Sequence, residues 1–135
     1  MEDIEKIVYK DKVLAIIVRG FNSKDGVTFF TPEDYSMQIG MLNRDLGFVS
    51  RPHTHPKLNK NIKDVMETVT VLGGKIKVKF YGDELSAVKE VILKPHDSAL
   101  FIYGGHGYEV IEKCKVFTVK QGPYPGPNIA KNYIN

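Results

Sequence analysis

Short runs of apolar and β-branched residues recur along this chain, and turn residues separate them. In the clearest run, Lys75–Tyr81, three lysines alternate with Ile76, Val78 and Phe80. Successive side chains of a strand point to opposite faces, so this run predicts a strand with one solvated face and one buried face. No segment carries a convincing helical period. The pattern predicts an all-β fold of about ten short strands, a sandwich or a barrel.

The predicted strands, in chain order, are Lys6–Tyr9, Val13–Arg19, Val27–Phe30, Met37–Leu42, Phe48–His55, Thr68–Leu72, Lys75–Tyr81, Val88–Leu93, Ser98–Tyr103, His106–Glu112 and Lys115–Lys120. Between the sixth and the seventh stands the pair Gly73-Gly74. Two glycines between two strand patterns predict a tight turn, so these two strands are expected to form a β-hairpin.

Two segments lack the pattern of short strands. Pro56–Met66 is polar, carries three lysines, and predicts a long loop that is either an ordinary solvated connection or a mobile lid over an anionic substrate. Residues 121–135 hold three of the seven prolines and predict an extended C-terminal arm. The whole chain of 135 residues has the length of one domain, with the strand-rich core over about 40–120.

Composition narrows the classes of protein to which the chain can belong. The 19 basic and 16 acidic residues leave a net charge of +3 without a basic block, so nucleic acid is not an expected partner. A single cysteine, Cys114, excludes an intrachain disulfide and fits a reducing compartment. The charged N-terminus lacks the pattern of a secretory signal, and no apolar run has the length of a membrane span. We expect a cytoplasmic protein.

Three histidines and one carboxylate carry the candidate chemistry. His53 and His55 stand one residue apart, and in a strand both would point to the same face. Glu67 begins the next strand, and His106 follows further along. Neutral imidazoles with a carboxylate suit one divalent transition metal, namely Fe, Mn, Ni, Co, Zn or Cu. A salt bridge on the surface is the other explanation for Glu67.

At these residues the chain resembles the cupin superfamily of small jelly-roll, or double-stranded β-helix, proteins. The first cupin motif runs glycine, five residues, His-x-His, a short gap, glutamate, six residues, glycine. Gly47, His53, His55, Glu67 and Gly74 match it, although eleven residues rather than three or four precede the glutamate. The resemblance implies a cupin barrel with a metal bound by the two histidines, the glutamate and the later His106.

The second cupin motif is matched more loosely. His96 stands in the place of its first glycine, Ile102 in the place of its proline, and Val110 in the place of its final asparagine. Gly104 and His106 are kept, with one spacer residue fewer between them. The resemblance covers roughly residues 40–119. It implies that His106, and not His96, is the third histidine ligand.

Cupins include isomerases, epimerases, dioxygenases and plain binding proteins, so the fold alone does not assign a reaction. The resemblance implies an enzyme acting on a small polar substrate, with sugars and sugar nucleotides as candidates, or else a binding or sensing module without catalysis. A homodimer is expected, because strand edges need covering. Tyr108 shares the strand face of His106 and is the candidate catalytic proton donor, or packs in the core. Gln38, Arg51 and Lys57 are the candidate substrate-binding residues.

Overall fold

The structure is a computed structural model, and it describes residues 3–20, 25–58, 62, 64–123, 126 and 132. The predicted all-β class is confirmed, because the described residues form eight strands and one turn of 3-10 helix. The chain divides into two compact units. The first unit comprises Met1–Phe21 and Asp64–Asn135, and the second comprises Asn22–Lys63.

The elements of the first unit are β1 (Ile4–Tyr9), β2 (Lys12–Val18), β5 (Glu67–Tyr81), the 3-10 turn Asp83–Leu85, β6 (Ala87–Leu93), β7 (Ser98–Phe101) and β8 (Gly105–Lys120). The second unit contains β3 (Gly26–Phe29) and β4 (Gly40–Asn43), which pair as an antiparallel two-stranded sheet. In the described chain no helix is long and apolar enough to cross a membrane.

The first unit is a six-stranded antiparallel sheet that curls into a half-barrel. Five of its strands follow the order β1-β2-β7-β5-β6, and the sixth, β8, also pairs with β5. The long strand β5 organises the sheet. On one side, the first part of β5 pairs with β7 and its last part pairs with β6. On its other side β5 pairs with β8 from Glu67 to Tyr81. These two strands therefore form one long ribbon, named the β5–β8 ribbon below.

The predicted hairpin at Gly73-Gly74 is wrong, because both flanking runs belong to the single strand β5. Likewise, the two last predicted strands are one strand, β8. The glycines mark a bend, where the register between β5 and β8 shifts. Gly74 has φ +78, and a Cβ there would meet the backbone of Lys113 and lie 2.6 Å from the Cα of Cys114. Glycine is needed because the two backbones approach closely, and not because the chain reverses.

The bend turns the inner faces of the two halves of β5 toward each other. Val71, from the first half, and Ile76, Val78 and Phe80, from the second half, belong to one buried core cluster. Phe80 also contacts Phe101 of β7 edge to face, with ring centroids 5.9 Å apart. The alternation predicted for Lys75–Tyr81 is confirmed, since the three apolar side chains are buried while the lysines form ion pairs with glutamates at the surface.

A buried carboxylate fixes the turn between β6 and β7. Asp97 accepts hydrogen bonds from the backbone N–H groups of Gly20 and Lys94 and from the guanidinium of Arg19. The preceding residue, His96, has φ +77, which is the left-handed region that the first glycine of the cupin motif would occupy readily. His96 therefore lies in a turn built for structural reasons.

Two other predicted strands differ in the structure. The strand predicted for Phe48–His55 does not form, because these residues are described without a regular ladder partner. The strand predicted for Met37–Leu42 is shifted to Gly40–Asn43, so Gln38 precedes it. In the predicted lid Pro56–Met66, residues 59–61 and 63 lie outside the described residues, and so does most of the C-terminal arm predicted for residues 121–135. The roles of both segments stay predictions.

Candidate functional site

Glu67 is the first residue of β5 and lies on the inner face of the half-barrel. Its cross-strand partners are Phe101 in β7 and Lys120 in β8. Side chains of directly opposite residues share a face, so Glu67 stands beside the core residue Phe101. Its Oε2 accepts a hydrogen bond from the Thr118 hydroxyl at 2.9 Å. The carboxylate is therefore held at the rim of the apolar core and not in open solvent.

His106 is the second residue of β8, and it lies opposite Phe80. Its ring stacks on the ring of Phe101, with centroids 4.0 Å apart and planes inclined by 25°. Its Nε2 lies 3.4 Å from Oε1 of Glu67. Both side chains are partly shielded, with 34% of the imidazole and 22% of the carboxylate exposed.

The meeting of Glu67 and His106 follows from the curl of the sheet. Along the β5–β8 ribbon they stand at opposite ends, since Glu67 pairs with Lys120 while His106 pairs with Phe80. A flat ribbon would separate these ends by about 13 residues of β5, or roughly 40 Å. The bend at Gly74 folds the ribbon back on itself, and the two side chains then face each other across the half-barrel.

The surroundings of Glu67 favour its ionised form. The polar contact with His106 is the largest cause of the lowered pKa of this carboxyl, while partial burial acts in the opposite direction. The hydrogen bond from Thr118 and the charge of Lys120 lower the pKa further. The Glu67 carboxyl is therefore ionised at neutral pH.

The Glu67–His106 contact is compatible with both explanations of Glu67, a salt bridge and two ligands of one metal ion. At 3.4 Å, the separation of Nε2 and Oε1 is longer than a usual hydrogen bond. Two donors that each lie about 2.0–2.1 Å from a tetrahedral ion are about 3.4 Å apart. One imidazole nitrogen and one carboxylate oxygen are also the donor types that transition metals accept. These two residues therefore supply two of the donors that the metal implied by the cupin resemblance would need.

His53 and His55 belong to the second unit, where both are exposed. They are not on a strand, so the alternation expected to bring them together does not apply. Their rings are nevertheless neighbours, with centroids 5.0 Å apart and planes inclined by 76°. Nδ1 of His53 lies 3.0 Å from the carbonyl oxygen of Arg51. If Nδ1 carries the proton and donates it there, Nε2 of His53 keeps the lone pair that a metal needs.

Within the described ranges, no group of three or more His, Cys, Asp or Glu side chains has the arrangement of a metal site. What the structure brings together is one pair in each unit, Glu67 with His106 and His53 with His55. The four-ligand site therefore stays a prediction from the sequence motif.

The other candidate residues lie as follows. Tyr108 is opposite Val78 and two residues from His106, on the same face, and it is 68% exposed. The amide of Gln38 is bonded within its own unit: the two hydrogens of Nε2 have three carbonyl oxygens of the turn at Pro32–Tyr35 in reach, and Oε1 accepts a hydrogen bond from Thr31. These bonds explain a polar residue there without a ligand. Arg51 and Lys57 are exposed in the second unit.

Sequence reasoning missed Thr118 and Phe101, which contact the candidate pair. Thr118 stands among apolar residues of β8, and Phe101 reads as an ordinary core residue. A polar residue in an apolar strand is a signal that could have pointed to Thr118. The face to which Thr118 points, however, depends on where the β5–β8 ribbon bends, and the sequence does not show this.

Comparison with known protein families, curated proteins and solved structures finds no match for this chain.

Proposed function

We propose that this chain is a metal-dependent enzyme of the cupin type that acts on a small polar molecule, with sugars or sugar nucleotides as the candidate substrates. The reaction class is isomerase- or epimerase-like, or oxygenase chemistry. The observation that carries the proposal is the 3.4 Å separation of Glu67 Oε1 and His106 Nε2 on the inner face of the half-barrel. Residues from opposite ends of the β5–β8 ribbon meet there with two donors that suit one ion.

Each residue has a defined task in this proposal. Glu67 and His106 would hold the ion, and the resemblance to the first cupin motif implies His53 and His55 as the remaining ligands. An ion held there would supply Lewis acidity toward a substrate carbonyl or enediol, or dioxygen chemistry if it were iron. Tyr108, two residues beyond His106 on the same strand face, moves a proton at its phenolic oxygen.

Elemental analysis of protein purified without added metal tests the ligand assignment. We expect close to one divalent ion per chain in the wild type and a large loss in His55→Ala, Glu67→Ala and His106→Ala. His96→Ala is the matched control, since it removes an imidazole from the turn before β7 and should leave the metal content unchanged. Loss of metal from the His96 variant, with retention in the His106 variant, would overturn the assignment.

The reaction class needs an activity measurement on the metal-loaded protein. Dioxygen consumption separates oxygenase chemistry from isomerisation, which proceeds without net redox change and is followed by interconversion of aldose and ketose sugars. Tyr108→Phe should lower turnover while it keeps the metal, because phenylalanine retains the ring and lacks the proton. Saturable ligand binding without turnover would instead assign the chain to the alternative class, a small-molecule-binding module.

A further inference from the structure

Thr118 of β8 lies directly beside the proposed ligand Glu67. Its cross-strand partner is Val69, and side chains opposite each other share a face, so Thr118 points to the inner face as Glu67 does. Its Oγ1 is 2.9 Å from Oε2 of Glu67 and 2.8 Å from the carbonyl oxygen of Thr68. The cupin motifs leave this residue without a role.

The hydroxyl group of Thr118 has one hydrogen and two acceptors in reach. An ionised carboxylate accepts a stronger hydrogen bond than a neutral carbonyl group, so the hydrogen goes to Glu67 while that residue is charged. Threonine is branched at Cβ and has few side-chain conformations, so the hydroxyl is a rigid support.

The two oxygens of Glu67 consequently have separate partners. Oε2 is engaged by Thr118, whereas Oε1 faces Nε2 of His106. The ring of His106 is fixed in a comparable way by its stacking on Phe101, so neither side chain of the pair is free to turn.

We infer that Thr118 is the positioning residue of Glu67, and that its hydrogen bond to Oε2 holds Oε1 of this carboxylate toward Nε2 of His106. The inference rests on the proposed metal-binding function, which it deepens. Partners that orient a metal ligand typically contribute roughly 10–100-fold to metal affinity. Thr118 achieves this without touching the ion, by holding the second oxygen.

The test compares three variants of the full chain with the wild type. Thr118→Val removes the hydroxyl at constant shape, and Thr118→Ser restores a hydroxyl. Thr70→Val is the matched control, because Thr70 bonds the hydroxyl of Ser98 on the same sheet and lies on the face opposite to Glu67. We expect Thr118→Val to bind Co²⁺ roughly 10–100-fold more weakly, with an altered visible spectrum. The serine variant should recover most of the affinity, and Thr70→Val should match the wild type.

A metal-free measurement separates this inference from the proposed function. In a crystal structure of metal-free Thr118→Val, we expect Glu67 to leave its rotamer, so that Oε1 no longer faces His106. If the wild type binds no Co²⁺, the proposed function fails, and this measurement alone decides the role of Thr118. The inference is overturned if Glu67 keeps its rotamer there. Where the wild type does bind Co²⁺, it is also overturned if Thr118→Val binds Co²⁺ equally tightly, or if serine does not restore the affinity that valine removes.

Discussion

Replacing Gly74 with alanine is the most direct test of how the sheet is bent. In the structure Gly74 lies inside the continuous strand β5, at φ +78, where a Cβ would collide with the backbone of β8 at Lys113 and Cys114. Gly73 is its natural control. It has no left-handed φ, and a Cβ there would meet nothing within 4 Å.

The expected loss can be worked from two contributions. An L-residue in the left-handed region costs about 1–2 kcal/mol, and forcing an extra carbon into a packed contact costs about 1–3 kcal/mol. Gly74→Ala should therefore lose about 2–5 kcal/mol of unfolding free energy. For 135 residues, the unfolding entropy of about 0.28 kcal/mol/K converts this into a melting temperature lower by roughly 7–18 °C. Gly73→Ala should be neutral, or stabilising by up to about 1 kcal/mol.

Urea unfolding and thermal unfolding measure both variants. The chain has no tryptophan, so the signals are the circular dichroism of the strands and the fluorescence of tyrosine. In a two-residue hairpin turn of the common Gly-Gly type, both glycines adopt positive φ, and both substitutions would be costly. Equal losses in the two variants, or a Gly74→Ala variant as stable as the wild type, would refute the bent-strand reasoning.

Three further predictions concern the core, the surface charges and the assembly. Phe80→Ala should lose about 3–5 kcal/mol of unfolding free energy in urea unfolding, because the ring is buried against Phe101. The pKa of the Glu5 carboxyl is lowered, mainly by the hydrogen bond from Lys89 and less by Arg19, while partial burial acts in the opposite direction. These ion pairs stabilise the fold at pH values above the usual Glu pKa near 4.5. The stabilisation is lost as the pH falls through the lowered pKa. Glu5→Gln should thus lose no more than about 1 kcal/mol at neutral pH, and unfolding curves recorded at decreasing pH should converge with those of the wild type. Light scattering should give a homodimer, and a 15.2 kDa monomer at tens of micromolar, a range of about 10–100 µM, would contradict that prediction.

The amino-acid sequence by itself determined the class of the fold and the faces of its clearest strand. Alternation between apolar and polar residues is a local property, because successive side chains of any strand point to opposite sides. It therefore placed Ile76, Val78 and Phe80 in the core correctly. The same reasoning predicted that His106 and Tyr108 share a face, and their partners Phe80 and Val78 bear this out. It predicted a strand at Phe48–His55 that does not form, because a strand also needs a hydrogen-bonding neighbour.

Only the tertiary structure decided which strand segments are joined and which side chains meet. The pair Gly73-Gly74 is compatible with a turn and with a bend. It forms a bend because β8 pairs with β5 on both sides of the two glycines. That bend brings Glu67 to His106, although β-sheet pairing places them at opposite ends of the ribbon. It also puts Thr118 against the second carboxylate oxygen. These contacts join residues about 40–50 positions apart, and their geometry depends on the curvature of the whole sheet, which no local pattern of residues encodes.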